Sequence, residues 1–332
     1  MQRNIYHMLL WGWVSAIALT ACSKKDGGAP DTSHLSVMQF IEQDPQLGLL
    51  HAAIVRAGAD TFFMNSGPYT FFAPTDDAFL QAGLTGNKIA TYDPVALNYI
   101  LSYHILIGRI SSKELTGFSR ASVASLNKDL KPNVSKNYYG IFFNGMHVDD
   151  GNIQLADGVV HKLGGVSFPP VDSMVTVLEK QPELTFFTAA LKRSKLLLGL
   201  VKPDTLTVFA PHDDAFKAFG YKTIAQINAE DTVVLIRLLN PYIISTARFY
   251  LPDLMGNKAV TSNSLTLAAN LAPNNRIAFV RYGFTPDGAT IIPVSNPALP
   301  STTGILIPPK LLRKNILTRR GIIHTVDQVF IP

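Results

Sequence analysis

The chain has 332 residues, of which 47% are hydrophobic and 16% are charged, enough for a buried core and unlike a disordered chain. The formal net charge is +5, and so small an excess over this length argues against a nucleic-acid-binding surface. The composition also excludes a coiled coil, a collagen and a polytopic membrane protein.

The first predicted element is a short apolar segment that ends at the only cysteine. It runs from Met8 to Ala21 after one basic residue, Arg3, and Cys22 follows directly. About 14 helical residues at 1.5 Å each do not cross a hydrocarbon core of about 30 Å. The segment is therefore typical of an export signal and not of a membrane span.

The residues Leu19-Thr20-Ala21-Cys22 resemble a bacterial lipobox, in which the cysteine becomes the lipidated first residue of the mature chain. The alternative is a secretory signal that ends near a cysteine by coincidence. A lone cysteine has no disulfide partner, which favours lipidation of Cys22. We predict a lipoprotein signal peptide over residues 1–21 and a flexible, Gly-containing polar tether over residues 22–32.

The rest of the chain contains one unit twice. Tyr69–Phe79 recurs as Leu206–Phe216, with eight of eleven positions identical at an offset of 137 residues. Gly158–His161 and Gly321–His324 also correspond, at an offset of 163, so the second copy is longer by 163 − 137 = 26 residues. We predict the extra length within residues 270–320, where prolines favour loops and sheet edges over helices and central strands.

Both copies show the same order of helix and strand patterns. Apolar residues at helical spacing predict the first helix, and an aromatic, β-branched run predicts a strand after it. Thr75 is placed to cap the next helix. The predicted elements of the first copy are a helix over 47–57, a strand over 69–73, a helix from 75, a helix over 95–104 and a closing strand from 158; 232–242 is the second copy's counterpart of 95–104. Helices mixed with antiparallel strands indicate an α+β fold.

The strand-turn-helix block and the closing block resemble the two signature blocks of the fasciclin-like domain family. The resemblance covers residues 33–170 and 171–332 as two tandem domains. It implies an α+β fold in which each domain is a wedge-like β-sandwich with packed helices. It also implies structural roles for the residues that match the signature, namely Thr70, Phe72, Pro74, Asp76, Phe79 and His161 in the first domain and Thr207, Phe209, Pro211, Asp213, Phe216 and His324 in the second.

The paired carboxylates and the repeated histidines are the candidates for chemistry. Asp76-Asp77 and Asp213-Asp214 could serve acid–base catalysis or bind calcium, but adjacent helical side chains point about 100° apart. Acidic residues in a first helical turn explain them better. His161 and His324 lie in apolar strands without a repeated nucleophile at a telling spacing, which favours buried, hydrogen-bonded imidazoles. We predict no catalytic residue, no metal site and no cofactor.

Tyr103-His104 is one candidate for contact with a partner. It resembles the Tyr-His pair that some animal members of the family use in integrin contact. The second copy has Tyr242-Ile243 at this point, without the histidine. Packing within the helix is the alternative role for both residues.

A basic cluster in the second copy is the other candidate contact. Its functional interpretation is an anionic glycan or lipid head groups, and its alternative is a sheet edge protected by charge. The cluster comprises Lys310, Arg313, Lys314, Arg319 and Arg320.

Members of the resembled family are mostly secreted or membrane-anchored and act in adhesion and in binding extracellular matrix or carbohydrate. The resemblance implies a non-enzymatic envelope lipoprotein that binds an extracellular protein or polysaccharide, with the membrane reached through its lipid. Ser23 after the cysteine, by resemblance to enteric lipoproteins, favours the outer membrane and leaves the leaflet open. The alternative is an accessory component that captures glycans for nutrient uptake at the outer membrane.

Overall fold

The computed structural model describes residues 31–60, 67–114, 120–128, 130–200, 206–245, 248–254 and 311–329, and four strand segments between 258 and 293. The described residues from Thr32 onwards belong to one compact unit. The predicted signal peptide and Cys22 lie outside the described residues. Within the described part of the chain, no helix is both long and apolar enough to cross a membrane.

The first copy has five helices and seven strands among its described residues. The helices are α1 (Val37–Gln43), α2 (Gly48–Ala57), α3 (Asp76–Gln81), α4 (Gly86–Thr91) and α5 (Pro94–His104). The strands are β1 (Tyr69–Pro74), β2 (Ile105–Ile107), β3 (Arg120–Ser122), β4 (Asn133–Asn137), β5 (Gly140–Phe143), β6 (Met146–Gln154) and β7 (Gly158–Leu163). The helices predicted over 47–57 and 95–104 and the strand predicted over 69–73 are confirmed.

Side chains just before the helices fix where they begin. Ser36 and Gln39 form a reciprocal capping box at α1. The Thr75 hydroxyl accepts the Ala78 N–H and so begins α3, as the sequence predicts. Asp93 caps α5, whose first residue is a proline that needs no hydrogen-bond acceptor at this position.

The seven strands of the first copy form one sheet in the order β2-β1-β7-β6-β5-β4-β3. The closing strand β7 runs parallel to β1, which corrects the antiparallel strands that the sequence pattern predicts. Strands three places apart in a flat sheet lie about 14 Å from each other. The Phe72 ring on β1 nevertheless stacks on the Phe143 ring of β5 at 4.5 Å. The sheet therefore folds over on itself and encloses a small core between its two halves, as a sandwich does.

The start of the first copy is bonded to the turn between β6 and β7. The Thr32 hydroxyl donates to the Gln154 carbonyl, and the Ala156 N–H donates to the Leu35 carbonyl. The Val37 N–H donates to the Asp157 carboxylate at 2.8 Å. These bonds hold the entry of the chain at the beginning of β7.

The second copy repeats the helical half of the first. Its helices are α6 (Met174–Glu179), α7 (Thr185–Arg193), α8 (Leu196–Gly199), α9 (Asp213–Phe219), α10 (Ile224–Ala229), α11 (Thr232–Leu239), which continues as a 3-10 turn (Asn240–Tyr242), and α12 (Leu251–Leu254). The helix predicted over 232–242 is thus present with a tighter last turn. A continuous apolar core lies between these helices and the central strands, with Phe187, Phe209 and Phe216 fully buried.

The strands of the second copy form two sheets. One has the order β14 (Ile316–Thr318), β15 (Gly321–Val326), β8 (Leu206–Pro211), β9 (Ile243–Ile244), and β15 is parallel to β8. The other is an antiparallel meander of β10 (Lys258–Ser262), β11 (Leu265–Ala272), β12 (Arg276–Thr285) and β13 (Gly288–Pro293). Part of the extra length of this copy lies in these strands, since β11 and β12 have 8 and 10 residues where β4 and β5 have 5 and 4.

Candidate functional site

Thr70 and His161 lie on the neighbouring strands β1 and β7, and both side chains form hydrogen bonds with the backbone of Ile110. The Thr70 hydroxyl donates to the Gly108 carbonyl at 2.7 Å and accepts the Ile110 N–H at 2.8 Å. His161 Nε2 donates to the Ile110 carbonyl at 2.8 Å. Both signature side chains are fully buried and bind backbone groups.

The His161 imidazole is neutral in this environment. Its Nδ1 accepts the Asn152 N–H at 3.1 Å, and its ring stacks on Phe72 at 4.8 Å. Burial lowers its pKa, and the hydrogen bond to the Ile110 carbonyl opposes this effect. A neutral ring with both nitrogens bonded to backbone groups is suited to a structural role.

The second copy repeats this arrangement with its own residues. The Thr207 hydroxyl accepts the Phe249 N–H at 2.8 Å, and His324 Nε2 donates to the Phe249 carbonyl at 2.7 Å. The His324 ring stacks on Phe209 at 5.2 Å. Burial lowers the pKa of His324 to about 4. Phe249 is therefore the counterpart of Ile110.

The two aspartates of each pair lie in different environments. The Asp76 carboxylate accepts the Leu49 N–H at 2.7 Å, at the first turn of α2, whose own cap residue offers no side-chain bond. In the second copy Asp213 accepts the Phe186 N–H at 2.9 Å and the Thr185 hydroxyl at 2.6 Å. Asp77 and Asp214 are exposed. Each first aspartate thus caps a neighbouring helix as well as beginning its own.

Tyr103 and His104 do not lie on the surface, which corrects the expectation of partner contact through these rings. Their exposed fractions are 1% and 0%. His104 Nδ1 donates to the Ile100 carbonyl at 2.9 Å, and its Nε2 accepts the Ser167 N–H at 3.0 Å. The last turn of α5 faces the interior of the sheet, so both rings point inward. Both rings have the packing role that is the alternative to partner contact.

The basic cluster of the second copy is divided by the fold. Arg313 is taken up by contacts with Glu183 and with Gln181, whose side-chain oxygen accepts its Nη1 hydrogen at 2.6 Å. Arg319 and Arg320 are exposed on the turn between β14 and β15. Lys314 is partly buried, and Lys310 lies outside the described residues. Arg313 therefore stabilises its own copy. Contact with a partner stays a prediction for the other four residues of the cluster.

Two surface features of the first copy were not predicted. Tyr138 and Tyr139 form the turn between β4 and β5, with exposed fractions of 89% and 52%, and their rings meet edge to face at 5.6 Å. An open groove of about 460 Å³ lies between α5 and the loop Leu126–Lys128. The available signal for the first feature was two adjacent aromatics between Asn137 and Gly140, where small polar turn residues are usual.

Cation-binding groups do not converge in the described part of the chain, where no group of three or more His, Cys, Asp or Glu side chains could hold a metal ion. The buried histidines have backbone partners.

Comparisons with known proteins agree on one family. The fasciclin domain model matches residues 45–167 and 182–332. The chain is 26% identical over 273 residues to human periostin, a match that covers 80% of this chain and 28% of periostin. It is 27% identical over 145 residues to protein sll1483 of Synechocystis sp., covering 43% of this chain and 78% of that protein.

A fungal relative is matched along nearly its whole length. The fasciclin-like arabinogalactan protein elcF of Phaeosphaeria nodorum is 21% identical over 314 residues, which is 90% of this chain and 89% of that protein. A solved structure of a FAS1 domain pair from the insect cell adhesion molecule Fasciclin I covers 86% of this chain at 16% identity, with a TM-score of 0.36. With both copies matched by the family model, the chain belongs to the fasciclin domain family and carries two tandem fasciclin domains.

Proposed function

We propose that the chain is a non-enzymatic adhesion or ligand-binding module of the cell envelope, held at the outer membrane by a lipid on Cys22. The observation that carries the proposal is the position of the signature residues. Thr70, His161 and Asp76 are bound to backbone groups, as are their counterparts in the second copy. Groups used in this way support the fold and leave recognition to the surface. Fasciclin domains also occur in adhesion proteins such as periostin.

The lipid anchor is tested by feeding cells an alkyne-tagged fatty acid and detecting the tag on the purified chain. We expect labelling of the parent chain and of a Ser23→Ala control, and loss of labelling in Cys22→Ser together with release from the membrane fraction. Undiminished labelling of Cys22→Ser would contradict lipidation at this residue.

The position relative to the outer membrane is tested by protease shaving of intact cells with a C-terminal tag on the chain and a periplasmic protein as control. Adhesion requires that the tag be lost while the control survives. A tag that stays protected until the outer membrane is broken would overturn the adhesion role and favour a periplasm-facing scaffold.

The second candidate function is glycan capture, and the tyrosine turn favours it. Tyr138 and Tyr139 offer ring faces on which the apolar face of a sugar can stack. The turn is held in place, because the Tyr139 N–H donates to Asn137 Oδ1 at 2.8 Å and His147 Nε2 lies 3.2 Å from the Tyr139 carbonyl oxygen. His147 and Asp149, about half exposed beside the turn, supply groups that can bond to sugar hydroxyls.

Affinity electrophoresis in gels that contain neutral polysaccharides tests this candidate. We expect the paired substitution Tyr138→Ala and Tyr139→Ala to weaken binding about tenfold, as loss of a central aromatic contact does. Phe168→Ala is the matched control, since Phe168 is an aromatic residue that is 44% exposed elsewhere. Equal retardation of the parent and the paired variant would remove the tyrosine turn as a glycan site.

A further inference from the structure

The segments that follow β2 and β9 are equivalent in the two copies but carry different residues after the position that the signature side chains bind. The signature threonine and histidine bind the backbone of Ile110 in the first copy and of Phe249 in the second. Because these anchors are the same, the flanking residues occupy equivalent positions. Arg109 therefore corresponds to Arg248, and Ser111 corresponds to Tyr250.

Arg109 and Arg248 share one role, contact with the turn before the closing strand, and Arg248 has a second role. Arg109 donates to the carbonyls of Leu155, Ala156 and Gly158, in the turn before the closing strand of its own copy. Arg248 lies 3.5 Å from the Arg319 carbonyl in the corresponding turn of the second copy. It also donates to the Lys131 carbonyl of the first copy at 2.9 Å. The arginine of the second copy thus joins both copies.

Tyr250 stands where the first copy has a serine, and its side chain is buried against the first copy. It is 2% exposed, and its hydroxyl donates to Asn144 Oδ1 at 3.2 Å. The absence of a side chain at Gly145 makes room for the ring, since a Cβ at Gly145 would lie 2.7 Å from the Tyr250 ring. A third bond runs from Asn137 Nδ2 to the Pro252 carbonyl at 2.7 Å.

Asn144 connects this contact to the Tyr-His pair. Its Nδ2 donates to the Ser167 hydroxyl at 2.9 Å, and the Ser167 N–H donates to His104. Burial raises the pKa of Tyr103 to about 12, and the nearby Asn144 side chain opposes this effect. A buried hydrogen-bond network therefore runs from α5 of the first copy to Tyr250 of the second.

We infer that the partner of the Tyr103–His104 region is the second copy of the chain's own domain. The segment Arg248–Pro252 docks on a surface of the first copy made by Lys131, Asn137, Asn144 and Gly145, and this contact fixes the two domains in one orientation. A serine at position 250, as the first copy has at the equivalent position, would leave the site beside Gly145 empty and the Asn144 oxygen without this donor. Domains without such a contact move relative to each other by default.

The test measures the distance between two spin labels in the full chain. Cys22→Ser leaves introduced cysteines as the only thiols, and Val55→Cys and Leu198→Cys place one label on each copy at sites that are 60% and 72% exposed. We expect a narrow distance distribution for the parent. Tyr250→Ser should broaden it about twofold or more, as free domain movement requires. Tyr138→Ser, which removes an exposed tyrosine, should leave it narrow.

A second pair of variants keeps the test independent of Tyr250 itself. Gly145→Ala should also broaden the distribution by displacing the tyrosine ring. Gly83→Ala is its control, because both glycines have similar φ angles, +78° and +75°, but nothing lies near a Cβ at Gly83. Tyr250 belongs to none of the three apolar core clusters, so far-UV circular dichroism should stay unchanged in Tyr250→Ser. A broad distribution in the parent, or narrow distributions in both Tyr250→Ser and Gly145→Ala, would overturn the inference.

Discussion

At the scale of single residues, the aspartate pairs show how one side chain supports two helices. Asp76 lies in the first turn of α3 while its carboxylate accepts a backbone N–H of α2. The first role was predicted from the local sequence, because capping and dipole effects act within a turn. The second role was not predicted, since it joins residues 27 positions apart and depends on how the two helices pack.

Removal of this carboxylate should destabilise the first copy. We expect Asp76→Ala to lower the free energy of unfolding by about 1–2 kcal/mol, the usual cost of losing a helix cap. Asp77→Ala should change it by less than about 0.5 kcal/mol, since the neighbouring side chain is exposed. Urea unfolding followed by circular dichroism measures both, and equal losses in the two variants would show that the cap contributes nothing.

At the scale of elements, the two copies connect equivalent segments through different basic side chains. In the first copy the Lys162 ammonium of β7 lies 2.6 Å from the Asp44 carboxylate and donates to Gln46 between α1 and α2. The equivalent acceptors of the second copy, Gln181 and Glu183, bind Arg313 instead. Thr325 occupies the position of Lys162. The duplication has kept the contact while the donor moved to another segment, which no local sequence pattern predicts.

The buried lysine should matter more than an exposed one. Lys162 is 8% exposed, and we expect Lys162→Met to lower the free energy of unfolding by about 3 kcal/mol, because it leaves Asp44, whose side chain is only 11% exposed, without its charge partner. Lys180→Met breaks an exposed ion pair of 2.8 Å and should cost less than about 1 kcal/mol. Thermal or urea unfolding of the two variants compares them, and a Lys162→Met variant no weaker than Lys180→Met would refute this assignment.

At the scale of the whole molecule, the repeated signature blocks predicted two tandem α+β domains and the order of their main elements. The sequence did not predict which strands are neighbours, because the parallel contact of β1 with β7 joins residues 89 apart, such as Tyr69 and Gly158. It also placed Tyr103 and His104 as surface candidates. Their burial depends on Ser167, Asn144 and Tyr250, which lie outside the signature blocks. The difference between Ser111 and Tyr250 at equivalent positions is the sequence signal that points to this burial.

Acid should weaken the molecule through buried histidines in both copies. Burial lowers the pKa of His104 and of His324 to about 4, below the value of about 6.5 in an unfolded chain. Their stabilising effect is therefore complete above pH 6.5 and declines as the pH falls towards 4. We expect a loss on the order of 2 kcal/mol per histidine between pH 7.5 and pH 4.5.

The contribution of His104 can be isolated from other acid effects. Urea unfolding of the parent and of His104→Gln at both pH values compares their pH dependence, so a constant destabilisation by the substitution cancels. The difference between the two pH values should be smaller in His104→Gln by on the order of 2 kcal/mol. An identical pH dependence in both proteins would mean that His104 does not titrate on unfolding.

The attachment of the chain's entry to the turn before β7 has a mechanical consequence. The first copy is entered at the beginning of this strand, through Thr32, Leu35 and Val37, and the chain leaves the strand after Leu163 at its other end. A pulling force between the N-terminal side and the second copy therefore acts lengthwise along β7. The hydrogen bonds to the antiparallel strand β6 lie roughly perpendicular to β7, and those to the parallel strand β1 cross it at a slant, so both sets share the load in shear. The first copy therefore resists a stretching force along its chain, because many hydrogen bonds must break together. A strand that is peeled from one end would instead lose its hydrogen bonds one at a time.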